Sequence, residues 1–132
     1  MPDYSLNQFL ASAGTPLLDI EICDVTLRDG EQMPGVVFRA DEKLDIALRL
    51  DEIGVEVIEA GFPVVSPAEM NAVREVCNLG LDARISALSR SVKKDVDAAL
   101  QCGVDMISVF IATSDLHLKH KLHMSCPEAI SC

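Results

Sequence analysis

The sequence predicts an α/β protein built on a parallel sheet, and three observations carry that prediction. Short runs of β-branched and apolar residues alternate with longer segments whose apolar positions recur at helical spacing. Each of those longer segments closes on a glycine, at Gly54, Gly80 and Gly103. Each apolar run leads into a polar loop, so the repeating unit is a strand followed by a helix. The order is β-α-β-α-β-α-β, which a doubly wound sheet and a (β/α)8 barrel both accommodate.

The first strand is expected from Ile20 to Leu27, where β-branched and apolar residues dominate, and it stops at the turn signal Arg28-Asp29-Gly30. From Ala40 to Ile53 the apolar positions Leu44, Ile46, Ala47, Leu48, Leu50 and Ile53 recur near helical spacing, with Asp41 and Glu42 suited to the first turn. Val55 to Ala60 is a second strand. Ser66-Pro67 then reads as an N-cap followed by proline at the first helical position, opening a helix to about Leu79. Asp82 to Leu88 gives a third strand, Val92 to Cys102 a third helix, and Asp105 to Ala112 a fourth strand. Central strands of a parallel sheet are apolar on both faces, which suits Val55 to Ile58 and Met106 to Ile111.

Composition narrows the function. With 132 residues, 49% hydrophobic and 24% charged, the chain has the make-up of one globular unit. Its longest apolar runs fall far short of the roughly 20 residues that span a bilayer. The start, with Asp3 and Asn7, lacks the basic region and apolar core of a secretory signal, so the cytoplasm is the expected location. Five scattered cysteines without a Cys-x-x-Cys pair read as reduced thiols. Twenty-one acidic and eleven basic side chains leave a net charge of −10, which disfavours nucleic acid and anionic lipid as partners. No Gly-x-Gly-x-x-Gly follows the first strand, which weighs against dinucleotide binding.

Polar residues gather where the strands end: Arg28, Asp29, Glu31 and Gln32 after the first, Glu59 on the second, Ser89 and Arg90 after the third, Thr113 and Ser114 after the fourth. In a parallel barrel that rim is the active site. A carboxylate such as Glu59 inside an apolar strand costs several kcal/mol unless it is paired or bound to a cation. Its partner is either an arginine of a neighbouring strand, in a structural ion pair, or a functional group. Asp29 is a hard ligand for a divalent cation, and the Arg28 guanidinium can polarise a carbonyl. Strict alternation along a strand would send the two to opposite faces, so both reach one site only if the strand yields to a loop near Arg28.

The stretch Asp24-Val25-Thr26-Leu27-Arg28-Asp29-Gly30-Glu31-Gln32 closely resembles the signature of the DRE-TIM metallolyase superfamily. Within it the chain is similar to the acyltransferases that condense acetyl-CoA with 2-oxo acids: the 2-isopropylmalate, citramalate and homocitrate synthases. Pro34-Gly35, Ile58-Glu59-Ala60-Gly61-Phe62-Pro63, Phe110-Ile111-Ala112-Thr113-Ser114 and His117-Leu118-Lys119-His120-Lys121-Leu122 extend the likeness. It implies the first half of a (β/α)8 TIM barrel, about four β/α units, with residues 1–132 a truncated part of a catalytic domain. It further implies Asp29 as a ligand of Mg²⁺, Mn²⁺ or Zn²⁺ and Arg28 and Glu59 as catalytic residues. Gln32, Arg28 and Thr113 would bind substrate. The implied partners are acetyl-CoA and a small 2-oxo acid, in a homo-oligomeric enzyme of amino-acid biosynthesis, 2-isopropylmalate synthase-like and hence in leucine biosynthesis.

Two departures accompany the resemblance. The family completes its metal site with a His-x-His pair, and this chain has none; His117, His120 and His123 stand three apart and would form one loose stripe on a helix. Many of the synthases also carry histidine near the end of strand four, where this chain has Ser108. A typical barrel needs about 250 residues, so the chain is expected either to belong to a longer enzyme or to be a catalytically incomplete half-barrel that pairs with another chain. The ending, Cys126 to Cys132, reads as a helix cut short.

Overall fold

The computed structural model describes residues 20–131. Four parallel strands lie side by side in chain order: β1 (Cys23–Asp24), β2 (Val57–Glu59), β3 (Arg84–Arg90) and β4 (Met106–Phe110). Helices α1 (Ala40–Glu52), α2 (Pro67–Cys77) and α3 (Lys93–Cys102) make the three crossovers. A doubly wound sheet reverses its strand order at a switch point, whereas successive units of a barrel keep the order unbroken, as here. After β4 come a helical turn (Asp115–His117), a π-helical stretch (Leu118–Leu122) and the short helix α4 (Cys126–Ile130). The polar start with Asp3 and Asn7, and Cys132, lie outside the described residues. No helix among the described residues is long and apolar enough to cross a membrane.

Alternation along the strands separates two environments. Ile58 of β2 and Ile85 and Ala87 of β3 turn to the helices and pack with Ala47 of α1, Val73 and Val76 of α2, and Ala99 and Cys102 of α3. Each fully buried Val or Ile there stabilises the fold by roughly 1.5–3 kcal/mol. The other face is polar: Glu59 stands in register with Ser86, whose hydroxyl lies 3.0 Å from that of Ser108. Local chemistry closes the elements. Ser66 Oγ accepts the Glu69 N–H at 3.0 Å and caps α2, with Pro67 at its first position. Gly103, at φ 82°, ends α3 in a conformation that a side chain would strain.

Several expectations need correction. The first strand is two residues long, not eight, because Asp24 folds the chain away from the sheet. Its Oδ1 accepts the Thr26 N–H at 2.9 Å and its Oδ2 the Thr26 hydroxyl at 3.1 Å. The amides of Arg28, Asp29 and Gly30 then converge on the Val25 carbonyl. The third strand runs to Arg90, so Ser89 and Arg90 belong to it and do not follow it. β2 is buried throughout, but Met106, Val109 and Phe110 of β4 are exposed, since only β3 flanks that strand among the described residues. The three histidines share no regular helix: His117 ends a helical turn, His120 lies in the π-helical stretch, and His123 is left-handed at φ 55°.

Replacing the α2 cap by Ser66→Ala is predicted to cost about 1 kcal/mol. Urea denaturation should show a lower midpoint at an unchanged slope, and an unshifted midpoint would show that the cap contributes nothing.

Candidate active site

The turn that cuts β1 short also aims Arg28 at the sheet. Its Nε donates to Glu59 Oε1 at 2.5 Å and its Nη1 to Asp29 Oδ1 at 2.6 Å. Glu59 closes β2 with its side chain 4% exposed, whereas that of Asp29 is 58% exposed at the mouth. One guanidinium therefore joins a buried carboxylate to an open one, and its fixed fork sets the direction of both bonds. Arg28 and Asp29 reach the same site because both lie in the Thr26–Asp29 turn, where strand alternation no longer applies. Cys23, one position from the end of β1, feels this cluster. Burial, and then the charge of Glu59, push its thiol pKa up.

Arg28, Glu31, Gln32, Phe62, Ser66 and Glu69 line a cleft of about 330 Å³. A larger hollow of about 490 Å³ lies by His123, Met124 and Pro127, remote from the charged cluster, so size alone does not locate the site. The neighbouring rim is held by Arg90, whose Nε and Nη2 fork onto Asp95 at 2.6 and 2.9 Å. Its guanidinium stands 5.9 Å from the centre of the Phe62 ring, which in turn meets Phe110 edge-on at 6.4 Å. Hydrogen bonds from Arg90 hold the Asp95 carboxyl below the usual aspartate range, outweighing burial.

Among the described residues no three His, Cys, Asp or Glu side chains converge as a metal site would require. Asp29 offers an exposed carboxylate that is paired with Arg28 through Oδ1, and a divalent ion there would need further ligands from outside these residues. His117 is engaged locally, its Nδ1 2.7 Å from the Ser114 hydroxyl.

The arrangement of β/α units and the Arg-Asp turn agree with a comparison by sequence: the HMGL-like family model matches residues 19–132. The chain belongs to the HMGL-like family. A homocitrate synthase AksA from Methanosarcina mazei is 57% identical over 129 residues, covering 98% of this chain and 32% of that protein. A 2-isopropylmalate synthase from Methanocaldococcus jannaschii is 58% identical over 111 residues, covering 84% of this chain and 21% of that protein. The HMGL-like chain thus spans about a third or less of the length of these relatives. Among solved structures, an HMG-CoA lyase from Bacillus subtilis superposes with a TM-score of 0.66 at 24% identity, over 85% of this chain and 39% of that one. The fold is accordingly part of a (β/α)8 barrel.

Of the residues singled out in the sequence, the HMGL-like fold brings Arg28, Asp29, Gln32 and Glu59 to one rim. Thr113 is exposed in the loop after β4, with β3 between its strand and that of Glu59. Sequence reasoning missed Asp95, Glu69 and Lys43. The signal for Lys43 was present, because it occupies the same helical face as Ala47 one turn on. Ser66-x-x-Glu69 reads as a cap, which hides that the Glu69 carboxylate turns inward.

A pH test follows from Asp95. Its folded pKa lies below the ordinary 3.8, so its pairing stabilises the protein above that value and is lost as pH falls through the lower folded value. Asp95→Asn should therefore melt below wild type at pH 7, with the gap closing under acid. A gap independent of pH would contradict the ionised pair.

Proposed function

We propose that this chain forms part of the catalytic barrel of an enzyme that condenses acetyl-CoA with a 2-oxo acid. The observation that carries this reading is Arg28, an always-charged donor held between Glu59 and Asp29 at the lip of a cleft. The names of the relatives, divided between homocitrate and 2-isopropylmalate synthases, support the reaction class. They support 2-oxoglutarate and 2-oxoisovalerate alike, so a place in leucine biosynthesis is one of two equal candidates, with citramalate formation from pyruvate the nearest alternative.

In this reaction the acetyl methyl group loses a proton and its carbon bonds to the keto carbon of the 2-oxo acid. The keto oxygen takes the electron pair and then a proton, and water cleaves the thioester to release CoA. Charge develops on the keto oxygen, and Arg28 is the donor placed to meet it. Glu59 acts through Arg28, since its Oε1 holds the Nε while Asp29 holds Nη1, which leaves Nη2 to donate into the cleft. Gln32 lines the same wall and can donate to the substrate carboxylate. Thr113 would contribute from the β4 loop. Asp29 is assigned as one ligand of a divalent cation, Mg²⁺, Mn²⁺ or Zn²⁺, with the remaining ligands outside the described residues. A homo-oligomer in the cytoplasm that takes acetyl-CoA and a small 2-oxo acid completes the reading.

The test measures CoA release by the full-length protein with pyruvate, 2-oxoisovalerate and 2-oxoglutarate. Release that depends on one of them is expected, and none with any would contradict the assignment. Arg28→Lys keeps the charge but loses the fork, and kcat should fall by about 10²-fold or more at near-normal stability. A kcat within about threefold of wild type would remove Arg28 from the reaction.

A further inference from the structure

Lys43 lies on the inward face of α1 with its side chain 2% exposed, and lysine is almost never so buried without partners. Its Nζ meets Glu31 Oε2 at 2.8 Å and Glu69 Oε2 at 2.7 Å. Each carboxylate gives its other oxygen to a loop amide: the Phe38 N–H donates to Glu31 Oε1 at 2.9 Å and the Phe62 N–H to Glu69 Oε1 at 3.1 Å. One ammonium thus ties the loop after β1 and the loop after β2 to the helix between them.

Stability alone is a poor reason for such a cluster. Desolvating a lysine and two carboxylates costs several kcal/mol per ion, and well-packed apolar substitutes often stabilise as much. Charged hydrogen bonds supply direction, which apolar contact does not. Here the direction serves the cleft. Gln32 follows Glu31 in the chain, and Phe62 is the residue whose ring meets both Arg90 and Phe110. Gly61 makes room for the contact, because a Cβ there would strike Glu69 Oε1 and come within 2.9 Å of Val73 Cγ2.

We propose that Lys43 is a positioning residue for the Arg28 cleft: through Glu31 and Glu69 it sets where Gln32 and Phe62 stand on the two walls that receive the 2-oxo acid. This rests on the functional reading above, in that it takes the cleft as the substrate site. Lys43 touches no substrate; it acts through the two loops.

The test uses the full-length protein. Lys43→Met/Glu31→Gln/Glu69→Gln removes all three charges together and keeps the side-chain volumes and both amide acceptors, so it should fold and melt near wild type. It should nevertheless lose about 10²-fold in kcat, the scale of a displacement of about 1 Å in a catalytic site. The Phe38 and Phe62 amides should exchange with solvent about tenfold faster while those of Ile58 and Val73 do not change. Melting near wild type with kcat within about threefold of wild type would show a merely structural role and overturn the proposal. Unchanged exchange at Phe38 and Phe62 would overturn it too. Should the triple variant not fold, Glu69→Gln alone leaves the Lys43–Glu31 pair in place. It should speed exchange at Phe62 and not at Phe38, and no change at Phe62 would again overturn the proposal. If the wild-type protein releases no CoA with any 2-oxo acid, the functional reading fails separately, and the exchange rates still decide whether Lys43 holds the loops.

Discussion

A carboxylate at the end of a buried strand constrains everything around it. Glu59 follows Ile58 on β2 and is shielded almost completely from water, so its charge has to be met inside the protein. No basic residue of its own strand or of β3 meets it. The chain meets it from β1, by abandoning the strand at Asp24 and turning so that Arg28 points back across the sheet. The same turn leaves Asp29 open at the mouth. Electrostatic necessity and the geometry of the rim are thus one feature, since the group that neutralises Glu59 also lines the cleft.

The rest of the rim repeats this logic with different partners. Arg90 at the end of β3 forks onto the buried Asp95 at the start of α3, and Lys43 on α1 gathers Glu31 and Glu69. Each of these ion clusters links a strand end or its loop to a helix, and Phe62 lies between two of them. Among the described residues every buried side-chain nitrogen or oxygen has a hydrogen-bond partner. The loops after β1 and β2 are each tied through a carboxylate that holds both a loop amide and Lys43. The net charge of −10 says little about the local field at Arg28.

Much of the fold was legible in the sequence because it rests on apolar periodicity. The three long helices, their glycine stops and the order of the strands follow from the spacing of Leu44, Ala47, Val73, Val76 and Ala99 and their neighbours. The extent of β1 was not legible. Ile20 to Leu27 has strand composition, and one side chain, that of Asp24, overrides it by capturing Thr26. That Glu59 needs a partner could be read from the strand alone. The identity of the partner depends on a contact 31 residues away in the chain, and the Arg28–Asp29 pair could be placed in one site only by supposing the turn. Lys43 stands on an apolar helical face, but a helix gives no sign that two carboxylates from other segments will converge on it. The exposure of Val109 and Phe110 was hidden for a related reason: a strand apolar on both faces looks the same whether or not a neighbour flanks it.

The central claim is that Arg28 and Glu59 form one energetic unit, and a double-mutant cycle measures it directly. Arg28→Met, Glu59→Leu and the double variant would be compared with wild type by urea denaturation. Arg28→Met strands the buried Glu59 carboxylate and Glu59→Leu leaves Arg28 with Asp29 as its remaining partner, whereas the double variant removes both charges, so the effects should not add, with a coupling of about 1.5–3 kcal/mol. Additivity within about 0.5 kcal/mol would mean that the two residues do not sense each other, and the account of the rim would be wrong.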